Sequence, residues 1–131
     1  MKVAALITRI LLGLMFTIFG LNGFIHFLQM PAPANPLAVQ YMTVLTESHY
    51  FAFVFLVQLI AGILLLIGRF VPLALALLAP VLANILLYHS LMDPSGLPLG
   101  IFATLLWLVA FWSVRSAFYG ILRPNIAPTH A

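Results

Sequence analysis

The chain has 131 residues, 65% of them apolar and 5% charged, whereas roughly a quarter of a water-soluble domain is charged. So much apolar side chain in so short a chain excludes a soluble globule and leaves room for one membrane domain with no soluble head. The net charge of +3 comes from bases scattered singly, which excludes a nucleic-acid patch. The absence of cysteine excludes disulfide relays, thiolate metal sites and dithiol chemistry.

Four apolar runs follow in order, each near the roughly 20 residues a helix needs to cross a bilayer. The first covers about residues 3–28, with Arg9 snorkelling back to the inner surface. It begins like a signal peptide, but the run is too long for a signal core and Asn22 and His26 interrupt its end. It is read as a retained helix. Gly13 and Gly20 share one face with Gly23 nearby, a surface on which a neighbouring backbone can approach closely.

Residues 29–48 form the one long break. Its first half, MPAPANP, is too rich in proline for regular structure. In its second half Leu37, Tyr41, Val44 and Leu45 share a helical face, so a short helix lying in the outer interface fits, with a simple extended loop as the alternative. The second span covers about residues 49–67 and ends in a tight turn at Gly68 and Arg69. The third covers about 71–92. Pro72 sits in its first turn, where a missing N–H costs little, and Pro80 lies inside, where it should kink the helix and free the Ala76 carbonyl. Asp93-Pro94-Ser95-Gly96 turns the chain into the fourth span, about 98–119, and residues 120–131 form a short tail.

Short turns after the second and third spans make neighbours antiparallel, so the fold expected is all-α: a transmembrane up-down four-helix bundle in a single domain. Its charges then sort by side. Lys2, Arg9, Arg69, Arg115 and Arg123 fall on one face and Glu47 and Asp93 on the other. Basic residues stay cytoplasmic, which places both termini inside.

Polar residues within the spans concentrate in the outer half. Asn22, His26 and Gln29 follow one another at i, i+4 and i+7, a stripe roughly opposite the Gly13/Gly20 face. Asn84 and Tyr88 are four apart on the third span, and Gln58 lies near the middle of the second. Two readings follow. These groups form interhelical hydrogen bonds, worth about 0.6 kcal/mol each in membranes, or they line an outer-half pocket for a small apolar or amphipathic molecule, roofed by the proline-rich loop. Trp107 faces either lipid or that pocket, and Trp112 fits an interfacial belt.

For a metal or a haem the candidates are His26 and His89, on the first and third spans. No pair of ligands has the spacing of a preformed metal site. His89 lies about 140° around the helix from Asn84, at 100° per residue, and is read as a surface partner of Asp93. No nucleophile elbow, phosphate loop or carboxylate pair is present, so no self-contained catalytic constellation is expected. The inner half also lacks the buried acid or histidine a proton relay needs.

Two stretches carry a family resemblance. The first span reads RILLGLMFTIFGLNGFIHF, with Arg9, Gly13, Phe16, Gly20 and Asn22, and the second hairpin reads QLIAGILLLIGRFVPLA, with Gly62, Gly68 and Arg69. The chain resembles the DoxX family of small bacterial and archaeal four-helix membrane proteins over about residues 9–118. The resemblance implies the cytoplasmic membrane of a prokaryote and a quinone-linked, redox-associated role, since the family is named for a small subunit of an archaeal thiosulfate:quinone oxidoreductase. The chain departs from the family at Gln58, where relatives often carry glutamate, and at Asn22 and His26, where many carry a lysine nearby. A glutamine cannot exchange a proton at neutral pH.

Two functions are therefore expected as alternatives. In one, the protein is an accessory subunit whose Asn22, His26, Gln29, Asn84 and Tyr88, with Gln58 as the floor, hold a quinone, a lipid or a similar molecule. In the other, it is a purely structural subunit that packs in a larger membrane complex or homo-oligomer without a ligand.

Overall fold

The computed structural model describes residues 1–130. Five α-helices account for most of them: α1 (Lys2–Ile25), α2 (Pro36–Glu47), α3 (Tyr50–Ile67), α4 (Val71–Leu91) and α5 (Leu97–Val114). Short 3-10 turns follow at Pro94–Gly96 and Arg115–Leu122, and no strand occurs among the described residues. Four helices are long and apolar enough to cross a membrane; the last of these spans runs from Pro94 through α5 to Leu122. The protein is an all-α, multi-pass membrane protein built as a four-helix bundle. Each spanning helix packs against two others in the ring α1–α3–α4–α5, and α2 lies outside the ring against α3.

The α1–α3 seam is the closest approach in the molecule, and glycine makes it so. A Cβ on Gly13 would come within 3.0 Å of the Gly62 carbonyl oxygen, and one on Gly62 within 3.0 Å of the Gly13 carbonyl oxygen and 2.6 Å of the Thr17 nitrogen. At Gly20 it would reach 2.7 Å from the Leu59 nitrogen, and at Gly23 it would fall in the Phe55 ring. In lipid, where burial of apolar surface gives no driving force between helices, such backbone contact is a main source of association. Beside the seam, Leu12, Phe16, Ala61, Leu65, Ala74, Leu75, Leu78, Leu82, Ala103, Leu106 and Ala110 form the buried core.

A cation closes the seam. Arg9 Nη1 on α1 donates to the Leu65 carbonyl of α3 at 2.9 Å, and the guanidinium lies where a Cβ on Gly68 would have to go. Gly68 is left-handed (φ 71°) and its N–H reaches back to the Leu64 and Leu65 carbonyls. This is the glycine stop common at helix C-termini, with a positive charge added where the helix dipole is negative. Arg9 is therefore an interhelical clasp and does not simply snorkel to the surface.

Three expectations for the helices need correction. The first helix ends at Ile25, short of residue 28, because the Asn22 side-chain oxygen accepts the Leu28 N–H at 2.7 Å and His26 turns left-handed (φ 50°). The fourth span is α-helical only to Val114: Arg115 Nη1 donates to the Trp112 carbonyl at 2.7 Å, and the chain tightens to 3-10. Trp107 is half-buried rather than turned wholly to lipid. Its Nε1 donates to the Leu75 carbonyl at 2.9 Å, joining α5 to α4, and its ring stacks on Phe111. In the long break, the helix forms rather than the extended loop. Asn35 caps it by accepting the Leu37 N–H at 3.0 Å, and Pro36 occupies its first position.

Candidate functional site

Only part of the polar set expected to converge does so. Asn22 is buried, with its side-chain oxygen and its carbonyl both spent on the turn after α1, accepting from Leu28 and His26. His26 and Gln29 are exposed beyond the helix end. The stripe of Asn22, His26 and Gln29 therefore does not exist as a helical face, because the helix stops before it is complete. Gln58 is buried at 6% exposure on the same face of α3 as Ala61 and Leu65.

On α4 the rotation is the reverse of the expected one. The buried stripe is Ala74, Leu75, Leu78 and Leu82, while Asn84 is exposed. At 100° per residue that stripe continues to His89. His89 is accordingly half-buried: its imidazole lies where a Cβ on Gly96 would project, and its Nδ1 pairs with the Asp93 carbonyl oxygen at 2.8 Å. The Asp93 carboxylate instead accepts from Ser95 Oγ at 2.7 Å. His89 thus locks the α4–α5 turn and is not a surface ion-pair partner. Among the described residues no group of three His, Asp or Glu side chains could hold a metal ion.

Asn84 and Tyr88 do come together, with a partner that pattern reading did not select. Tyr41 of α2 stacks on Tyr88 of α4, with ring centroids 5.5 Å apart and planes 27° apart. These two rings, Asn84, Leu87, Leu91 and Met92 line a cleft of about 160 Å3. The helix α2 is held for this by its Asn35 cap and by Ala38, which is fully buried. A closed cavity of about 150 Å3 holds one benzene ring, so this half-open cleft has room for a ring or a small headgroup. One wall is aliphatic, and phenol and carboxamide groups are available from Tyr41, Tyr88 and Asn84. The signal for Tyr41 was present, since it lies on the apolar face of α2, but nothing in the sequence places that face over α4.

Spans, seam and cleft together define a small helical membrane protein with a ring-sized recess at the end of the bundle that carries the acidic residues. No family model, curated protein or solved structure matches the chain.

Proposed function

We propose that the protein is a DoxX-like accessory subunit of a prokaryotic cytoplasmic membrane, with both termini inside and a redox-associated role, and that it holds the ring of a quinone or a similar amphipathic molecule between α2 and α4. The observation that carries this reading is the Tyr41–Tyr88 stack beside exposed Asn84. A third ring can extend the stack, Asn84 can donate to a carbonyl oxygen, and an isoprenoid tail can leave past Leu87 and Leu91 into lipid. The glycine spacing of α1 and the Gly62–Gly68–Arg69 segment support the family reading, and the single-sided placement of the five bases supports the topology. Gln58, uncharged and in the core, gives this protein no acid at mid-span. The binding set is accordingly Tyr41, Asn84 and Tyr88, without Asn22, His26, Gln29 or Gln58.

The test is quinone content. Protein extracted in mild detergent is analysed by mass spectrometry for co-purified quinone, alongside Asn84→Leu and Tyr88→Leu. Retention falling at least tenfold in both variants supports the site. Unchanged retention in both overturns it. Absence of quinone from the intact protein, with loss of folded chain unless partner proteins are co-expressed, favours the second reading, a structural subunit. That reading draws on the local use of Asn22 and on the apolar surface that every spanning helix exposes.

A further inference from the structure

A second recess lies at the opposite end from the aromatic cleft. Met1, Leu108, Val109, Phe111 and Trp112 line a shallow, open groove of about 460 Å3 between the start of α1 and the last turns of α5. Its lining is aliphatic and aromatic. Arg115 borders it through Trp112. The Arg115 guanidinium lies 4.4 Å from the centre of the Trp112 ring, held over it by the bond to the Trp112 carbonyl, and Lys2 follows Met1 on the other wall. All five Lys and Arg residues belong to this end of the bundle by its alternating topology, and both acids belong to the other.

An apolar groove bordered by a held Arg115, with Lys2 next to its Met1 wall, has the chemistry to take a phospholipid: acyl chain below, phosphate above. The charge balance selects the kind. No Asp or Glu side chain at this end offsets Lys2 and Arg115, so a zwitterionic headgroup leaves their positive charge uncompensated, and an anionic one does not. Arg115 is preorganised for a phosphate because its guanidinium is already ordered by Trp112, and a planar fork can bind two phosphate oxygens at once. We propose that this groove is a specific site for one anionic phospholipid of the adjoining leaflet, with an acyl chain along Leu108 and Val109 and the phosphodiester on Arg115 and Lys2. The site is independent of the aromatic cleft and of any quinone.

Native mass spectrometry of the detergent-purified protein, titrated with phosphatidylglycerol and with phosphatidylcholine of identical chains, tests this directly. The expected result is one tightly bound phosphatidylglycerol per chain, with phosphatidylcholine at least tenfold weaker. Arg115→Gln should weaken phosphatidylglycerol about fivefold, the usual worth of one base near a membrane surface. Val109→Trp, which fills the slot, should abolish the tight step. Arg123→Gln removes a base from the same end but not from the groove, and should leave the tight step unchanged. Equal binding of the two lipids overturns the proposal. So does an equal loss in Arg115→Gln and Arg123→Gln, which would mean diffuse attraction to a basic surface. Helicity by circular dichroism confirms that each variant is folded.

Discussion

The α1–α3 seam and the α2–α4 cleft solve opposite problems with opposite residues. Along the seam, Gly13, Gly20 and Gly62 withdraw their side chains so that backbones touch, and Gly23 makes room for the Phe55 ring. At the cleft, Tyr41 and Tyr88 hold two helices apart at ring distance and leave Asn84 uncovered. The molecule thus keeps its rigidity at the seam and its opening at the cleft. Close packing needs absent side chains, and a recess needs large ones that stack but do not fill.

Three substitutions measure that contrast. Gly20→Val should have the largest effect, because its Cβ meets the Leu59 and Phe55 backbone rather than a yielding side chain. Overpacking costs typically 1–3 kcal/mol, and here about 3 kcal/mol is expected, seen as a large fall in thermal stability in detergent. A neutral Gly20→Val would mean that the helices do not touch there. Next comes Gly68→Ala, expected to cost about 2 kcal/mol from the left-handed backbone and from displacing Arg9. In an Arg9→Leu background the same change should cost only about 1 kcal/mol, the backbone part. Equal costs in both backgrounds would break the clasp. The smallest effect is that of Tyr41→Ala, which removes one aromatic pair, worth about 1 kcal/mol. Amides of α2 should exchange faster while those of α1 and α3 keep their protection. Faster exchange in all three helices would show that cleft and seam are one unit.

The spans and the glycine face of α1 were legible because length and small-residue spacing survive in a uniformly apolar chain. The rotation of α4 was not. Apolar residues surround this helix on all sides, so no amphipathic stripe marks its inner face. The rule that polar residues turn inward then pointed at Asn84, whereas the core took Leu75, Leu78 and Leu82. Asn22 misled for a different reason: a residue that ends a helix looks, in sequence, like the start of a polar stripe. Gly68 announced a helix end, but its dependence on Arg9, 56 residues before Leu65, could be found only in three dimensions.

α3 has 18 residues between two left-handed stops, His49 and Gly68, which end it on both sides. At 1.5 Å per residue its rise is about 27 Å, a little less than the roughly 30 Å of an average hydrocarbon layer. Its seam partner α1, with 24 residues, rises about 36 Å. Lipid around this pair meets a short wall beside a tall one. Because the shorter helix sets the mismatch, a thinner membrane should suit the molecule better than a thick, sterol-stiffened one.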